Sequence, residues 1–198
     1  GGIGDVDVTK LVSAVERGAE EGRLIAWMRN DDEQNAIKET GIDASLPDPD
    51  DPSADPVAGV YFNNLSFSKL DWYLNADTQI GQGVKNGDGT CSYRITVTLT
   101  NIMTQEEAGK LPDYVAASAP DAARDDERLN VSLFAPTGGI ITDLTVEGTQ
   151  FGLGAATWHG IPFYSGTVDL HAGETTTITY TLTTSAEAGD KPLTLRQT

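Results

Sequence analysis

The stretch from Asn63 to Asn75, NNLSFSKLDWYLN, is the densest concentration of reactive and aromatic side chains in the sequence. Amide, ammonium and carboxylate groups lie among three aromatic rings, the mixture from which ligand-binding patches are built. The residues of this stretch that are candidates for ligand binding are Asn64, Lys69, Asp71 and Tyr73.

The same letters also fit an ordinary strand. In KLDWYL apolar residues alternate with others, which predicts that Leu70, Trp72 and Leu74 face one way. The remaining three would share the opposite face, where Lys69 and Asp71 could form a surface ion pair worth at most about 1 kcal/mol. In this interpretation the core explains the aromatic rings, and only the amides and the polar face remain for function.

A second candidate is the segment TWHGIPFY, in which Trp158 and His159 lie close to Phe163 and Tyr164. We include Trp158 and His159 among the ligand-binding candidates. The other histidine, His171, is expected at an exposed turn. Two histidines and no G-x-S-x-G elbow make nucleophilic hydrolysis a weak hypothesis.

Cofactor and metal chemistry find little support. Zinc needs about three or four His, Cys or carboxylate ligands, and this chain has two histidines and a single cysteine. The acidic run DPDDPSAD fails as a calcium loop, because Pro52 and Ser53 occupy positions that need a ligand and a glycine. Glycine-rich phosphate loops are absent. We therefore predict no catalytic residues, no metal site and no cofactor, and favour a protein that is not an enzyme.

The charge of the chain restricts its partners. There are 30 acidic residues against 13 basic ones, a formal charge of −17. Such a surface repels phosphate backbones and anionic lipid headgroups, so we expect no nucleic acid and no direct membrane contact by this segment. No Lys or Arg occurs from Leu129 to Asp190.

The beginning of the chain reads as helix, strand and helix over residues 1–42. An amphipathic pattern predicts the first helix, and RLIAWM (residues 23–28) predicts a short buried strand. Asn30, with Glu33 three residues later, predicts the start of a second helix that ends near Gly41. This part resembles the end of a larger α/β unit. Residues 43–56, rich in proline and aspartate, predict a linker or exposed loop.

Residues 57–198 alternate with period two between turn signals, which predicts about eight strands. In CSYRITVTLTN, LNVSLFAP and TITYTL the apolar positions fall on one face. The segment LHAGETTTITYTLTTS predicts a hairpin around Ala172-Gly173, and KPLTLRQT predicts a terminal edge strand. The fold class predicted is α+β: a short helix-strand-helix start and then a mainly antiparallel, immunoglobulin-like β-sandwich. A closed barrel is the alternative.

Six segments occur in an order that resembles a known family: GRLIAWMRNDDEQNAI, GVYFNNLSFSKLDWYL, ITVTLTN, LPDYV, NVSLFAPTGG and HAGETTTITYTL. Together they resemble the carboxyl-terminal region of the actinobacterial domain-of-unknown-function family 4012. The resemblance implies an extracytoplasmic protein, at the cell surface or membrane-anchored, with an anchor preceding this segment in the full-length protein. It carries over no catalytic residues. The positions that match the family's most characteristic patch are Asn64, Lys69, Asp71 and Tyr73.

These observations lead to three functional hypotheses. The first is a cell-envelope-associated structural or binding module, with a cell-surface glycan or an envelope protein as its partner. The second is an enzyme, or a subunit of one, that acts on envelope polysaccharide, with a site where NNLSFSKLDWYLN approaches Trp158 and His159. The third is a purely mechanical spacer.

Overall fold

The computed structural model describes residues 13, 17–19, 24–40, 42–43, 47–118, 121–147, 149–150 and 154–197. The chain divides into two compact units, one formed by Gly1–Pro47 with Arg196–Thr198 and a larger one formed by Asp48–Leu195. Among the described residues, no helix combines the length and the apolar character needed to cross a membrane. The three domain ranges drawn from the sequence stay a prediction.

The smaller unit contains the predicted second helix, α1 (Asp31–Thr40). Asn30 caps it, because its Oδ1 accepts hydrogen bonds from the backbone N–H groups of Asp32 at 2.9 Å and Glu33 at 3.3 Å. The predicted strand at residues 23–28 is wrong over its described part. Residues 24–28 have no partner strand there and no regular structure, and Ile25 and Trp27 are exposed. Most of the first predicted helix lies outside the described residues.

The larger unit is mostly β, with few helices. Its one described α-helix is α2 (Gln105–Lys110), which Thr104 and Glu107 begin with a reciprocal capping box. A 3-10 helix spans Leu70–Tyr73. The described strands are β1 (Val57–Asn64), β2 (Leu74–Ile80), β3 (Val84–Lys85), β4 (Cys91–Asn101), β5 (Glu127–Phe134), β6 (Ile140–Val146), β7 (Thr149–Gln150), β8 (Gly154–Trp158), β9 (Ile161–Leu170), β10 (Thr175–Thr183) and β11 (Thr194–Gln197).

The strands form two sheets whose apolar faces share one core. The five-stranded sheet has the order β11-β1-β5-β9-β8, and the six-stranded sheet has the order β2-β4-β10-β6-β7, with β3 beside β4. In the first sheet β1 pairs with β5, β5 with β9 and β8 with β9, all antiparallel. In the second sheet β4 pairs antiparallel with β2, β3 and β10, and β6 pairs antiparallel with β10 and β7. The core contains side chains of both sheets, including Val131 and Leu133 from one and Val97 and Tyr180 from the other. This arrangement is that of a β-sandwich; an immunoglobulin-like strand order is not confirmed.

Period-two alternation predicted the faces of the long strands correctly. Ile95, Val97 and Leu99 of β4 are fully buried, and β5 alternates between buried and half-buried residues along its whole length. The terminal segment forms β11 at the edge of its sheet, as predicted. The register is set by burial, because a slip of one residue would move every apolar side chain to the solvent face.

Two local predictions are wrong. The segment KLDWYL is not a strand: Leu70–Tyr73 is a 3-10 helix, and only from Leu74 does β2 begin. Leu70 is fully buried, whereas Trp72 is 85% exposed instead of sharing its face. A 3-10 turn has a period of three, which separates residues that a strand would place on one side.

The segment around Ala172-Gly173 is also not a hairpin between paired strands. It connects β9 to β10, which lie in different sheets. Gly173, with φ of 81°, makes the tight turn, and its N–H donates to the carbonyl of Asn101 at 2.9 Å. The inward positions of β10 were nevertheless predicted correctly, since Ile178, Tyr180 and Leu182 are all buried.

Candidate functional site

On the outer face of the five-stranded sheet, residues of similar chemistry lie opposite one another on neighbouring strands; we call each such line across the strands a rank. Because the odd-numbered residues of β5 from Leu129 to Leu133 point into the core, its even-numbered residues face outward. The register of β5 with β9 then places outward residues opposite one another. The pairs in order along the strands are Phe134 with Phe163, Ser132 with Ser165, Asn130 with Thr167, and Arg128 with Asp169. The face therefore changes from aromatic, through uncharged polar, to charged.

Four aromatic rings, Tyr61, Phe134, Phe163 and Trp158, cross the first rank; we call them the aromatic row. Phe134 and Phe163 stack with their ring centroids 4.8 Å apart and an interplanar angle of 13°. Tyr61 and Trp158 contact Phe134 edge to face, at 5.6 Å and 6.2 Å. The rings come from four neighbouring strands, β1, β5, β9 and β8. They are half-buried, apart from Trp158, which is 46% exposed. Such pairs stabilise one another beyond their buried area.

Glycine makes room for the first ring of the row. A side chain at Gly59 would bring its Cβ to 2.4 Å from Cε2 of Tyr61, so the tyrosine ring lies over the glycine. Gly59 is the register partner of Phe134 in β5. The missing side chain thus lets Tyr61 fold back from the second rank toward the first and meet Phe134 edge to face.

A tight turn sets the last ring of the row. Strands β8 and β9 are joined through His159 and Gly160, which have φ of 46° and 80°. Two consecutive positive φ values are typical of the type I′ hairpin turn, whose twist matches that of the paired strands. His159 contacts the Trp158 ring edge to face at 4.6 Å and is exposed. The turn therefore holds the indole at the end of the row.

The second and third ranks contain a closed ring of hydrogen bonds, which we call the polar triad: Asn130, Ser132 and Ser165. The Ser165 hydroxyl donates to Oδ1 of Asn130 at 2.8 Å. Asn130 Nδ2 donates to Ser132 Oγ at 3.4 Å, and the two serine hydroxyls lie 3.4 Å apart. All three side chains are half-buried and uncharged.

The charged rank is neutralised within itself. Arg128 donates to Asp169 at 2.9 Å and to Asp121 at 3.3 Å, and lies 3.5 Å from Asp126. The hydrogen bond and charge of Asp169 raise the pKa of Arg128 further above its ordinary value. Arg128 is therefore surrounded by three carboxylates.

A second site candidate lies at the far end of β1 and β5, where two carboxyl groups meet; we call Glu127 and Asp71 the carboxyl pair. Glu127 is fully buried, and Asn64 Nδ2 donates to its Oε1 at 3.4 Å. Its Oε2 has no donor among the described residues. The Asp71 carboxylate lies within hydrogen-bonding reach, a bond that can form only when one of the two acids holds a proton.

Burial, followed by the charge and contact of Asp71, raises the pKa of Glu127 from 4.5 to about 8. The neighbouring acids differ. Burial, with the charge of Asp169, raises the pKa of Asp126. Burial would also raise the pKa of Asp125, but hydrogen bonds from Ala172 N–H and Gln105 outweigh it and lower the pKa. Within the described parts of the chain, no three His, Cys or acidic side chains are placed to hold a metal ion.

The structure separates the residues that the sequence proposed as candidates. Asn64 and Asp71 meet at Glu127, whereas the backbone of Lys69 bonds to Val115 and its side chain is exposed. Tyr73 packs instead against a small second core cluster. Trp158 and His159 lie at the opposite end of the sheet: Gly59 and Asn64 are five residues apart on β1, roughly 17 Å at 3.3 Å per residue. The stretch NNLSFSKLDWYLN therefore does not share a site with them.

Sequence reasoning missed most of the aromatic row and all of the polar triad. One signal was available: in LNVSLFAP the alternation points Phe134 away from the core, on the same face as Ser132 and Asn130. A single aromatic residue on the solvent face is ordinary, and it becomes informative only when other rings join it in one patch. The contacts between the rings depend on the strand order, which the local pattern does not contain. Of the two candidate regions, the row has rings that are half-buried or exposed, whereas Glu127 at the centre of the carboxyl pair is fully buried.

The fold and this face define a mostly β protein with two sheets and an aromatic row on the outer face of one of them. Comparison with protein-family models finds no matching family, and comparison with curated proteins finds no match. Among solved structures, a Legionella pneumophila protein provisionally described as a nutrient binding protein is similar over 67% of this chain and 45% of that chain. The identity is 10% and the TM-score is 0.36. This chain thus spans less than half the length of that protein, and a TM-score of this size establishes no common fold.

Proposed function

We propose that this chain is an extracytoplasmic binding module of the cell envelope that binds surface polysaccharide on the outer face of its five-stranded sheet. The aromatic row is the observation that supports it. Pyranose rings present flat C–H faces that stack on aromatic rings, and their hydroxyl groups hydrogen-bond at the edges. A row of rings beside a rank of hydroxyl and amide groups offers both kinds of contact side by side.

Nucleobases also stack on aromatic rows of sheets, so the charge of the face decides between the two ligands. Proteins that bind single-stranded nucleic acid add a basic groove for the phosphates. The four strands of the aromatic row, β1, β5, β8 and β9, carry three charged side chains, of which Glu127 is buried and Arg128 is paired with Asp169, and the edge strand β11 adds Arg196. The formal charge of −17 adds a repulsive field. A sugar chain meets neither obstacle.

The proposed function includes a location outside the cytoplasm and the resemblance to the family named above. The resemblance to the domain-of-unknown-function family 4012, the threonine-rich strands and the acidic composition of the chain suggest a place outside the cytoplasm, at the cell surface or near a membrane anchor in the full-length protein. The immunoglobulin-like strand order is part of that expectation. An envelope protein bound along the same face is the alternative occupant.

Affinity electrophoresis of the purified chain through gels that contain polysaccharide tests the proposal. We expect retardation by at least one envelope polysaccharide. Phe134→Ala removes the ring that contacts three others, and should weaken binding at least about tenfold. Trp158→Ala, at a more exposed position, should act in the same direction without endangering the fold.

Trp72→Ala is the matched control, because Trp72 is 85% exposed and lies outside the row. It should bind like the wild type. Retardation that survives both Phe134→Ala and Trp158→Ala in folded protein, as judged by circular dichroism, would exclude the row as the binding surface. No retardation by any polysaccharide would refute the proposed function.

A further inference from the structure

We propose that the polar triad is the hydrogen-bonding subsite beside the aromatic row, and that the sugars it accepts carry no charge. This inference rests on the proposed function and specifies its ligand. It assigns a role to Asn130, Ser132 and Ser165, and it separates neutral polysaccharides from acidic ones.

The position of the triad follows from the register of β5 and β9. Ser132 and Ser165 are opposite one another, and each lies two residues from a ring of the row, on the same face and the same strand. Neighbouring residues of one face lie roughly 7 Å apart along a strand. That spacing matches the width of one sugar ring, so a sugar stacked on Phe134 or Phe163 would place its edge hydroxyls over the serines.

The hydrogen bonds within the triad determine what it can still bind. The Ser165 hydroxyl donates its single proton to Asn130, so Ser132 must be the donor in the contact between the two serines. Each hydroxyl then keeps one lone pair free, and Asn130 keeps one N–H and one lone pair. Free acceptors outnumber free donors by three to one in this inventory. The triad therefore favours a ligand rich in O–H donors, as neutral sugars are.

The surrounding charges act in the same direction. An acidic sugar needs a cation or several N–H donors for its carboxylate. Arg128 is the nearest candidate along β5, and Asp169, Asp121 and Asp126 already surround it. No Lys or Arg occurs from Leu129 to Asp190, which includes β8 and β9. An anionic chain that lies along β5, β8 and β9 would meet no further cation from these strands.

The test compares neutral polysaccharides (a glucan, a mannan, a galactan) with acidic ones (polygalacturonate, alginate) by affinity electrophoresis and titration calorimetry. We expect binding within the neutral group only, at low and at high salt. Ser165→Ala opens the triad and should weaken that binding at least about fivefold. Ser165→Thr keeps the hydroxyl and should restore most of it.

Two further variants complete the design. Thr167→Lys places a cation beside Asn130 and should create measurable binding of an acidic polysaccharide that disappears at high salt. Thr175→Ala removes an exposed hydroxyl, bonded to Thr100, from the other sheet and should change nothing.

The outcomes distinguish this inference from the proposed function. Binding of acidic polysaccharide by the wild type, lost in Phe134→Ala, would overturn the neutral ligand class and leave the binding face intact. Neutral binding that Ser165→Ala does not weaken would overturn the role of the triad alone. No binding of either group would refute the proposed function and this inference with it.

Discussion

Strand β5 carries two different chemistries at its two ends. Phe134 lies at one end on the outer face, where four rings from four strands meet. Glu127 lies at the other end, seven residues or roughly 23 Å away, buried on the inner side beside Asp71. The first region gathers uncharged groups on an open surface. In the second region Glu127 is buried away from water, and no cation contributes to its pKa.

The two ends also respond differently to solution conditions. The row and the triad consist of uncharged side chains, so binding there depends on shape and on hydrogen bonds. The carboxyl pair must hold a proton to remain together. Binding and folding stability are therefore expected to vary independently, so the effect of a substitution at one end can be judged against the unchanged other end.

The largest effect is expected from Glu127→Gln. In the folded chain Glu127 keeps its proton to a pKa of about 8, whereas the unfolded chain releases it near 4.5. The unfolded state thus binds fewer protons between these values, and stability falls as pH rises through this window. The difference corresponds to at most about 5 kcal/mol. We expect the wild type to lose about 2 to 5 kcal/mol from pH 5 to pH 8 in urea titrations.

Glu127→Gln should flatten that profile, because the amide still accepts from Asn64 and can donate to Asp71. A part of the slope should persist, since the pKa of Asp126 is raised as well. Glu106→Gln, at an exposed residue paired with Lys110, is the matched control and should keep the wild-type profile. An unchanged profile in Glu127→Gln would mean that the acid is ionised in the folded protein. Polysaccharide binding should be unaffected in both variants.

The sequence predicted the core faces of the long strands but not the local structure around Trp72. Alternation located the core face of β4, β5 and β10, because every second residue of a strand with one buried face points into the core and is apolar. The exposed Trp72 was assigned to the core because KLDWYL happens to alternate. The 3-10 turn there depends on distant contacts, such as the hydrogen bond from Lys69 N–H to Val115.

The candidate site was less accessible to sequence reasoning. Trp158 was identified from its neighbours, but its contact with Phe134 joins residues of β8 and β5 that are not adjacent in the sheet. Glu127 was missed because its pKa depends first on its burial and then on Asp71, which is distant in sequence. Both facts come from strand order and register, which a single sequence does not state.

Gly59→Ala tests the row with an intermediate effect. The added Cβ would lie 2.4 Å from Cε2 of Tyr61 and displace the ring. Overpacking of this kind costs about 1 to 3 kcal/mol, partly offset because alanine loses less chain entropy on folding. We expect a net loss of about 1 kcal/mol and binding of neutral polysaccharide weakened by about threefold or more.

Gly154→Ala is its control on the same face, because no atom lies within 4 Å of a Cβ at Gly154. It should be within about 0.5 kcal/mol of the wild type and bind normally. Equal binding by the two alanine variants would show that Tyr61 does not take part in the row. The pH profile of stability should stay that of the wild type in both.

The smallest effect is expected at Phe67, which sharpens the contrast between the two groups of aromatic residues. Phe67 is 81% exposed and has φ of 51°, a left-handed conformation that costs a non-glycine residue about 1 kcal/mol or more. Asparagine tolerates this conformation better. Because the exposed ring stabilises little, Phe67→Asn should leave the free energy of unfolding unchanged or raise it by at most about 1 kcal/mol, and polysaccharide binding should be that of the wild type. A clear loss of stability would show that the ring packs in solution. A loss of binding would extend the ligand surface from the aromatic row to this opposite end of the sandwich.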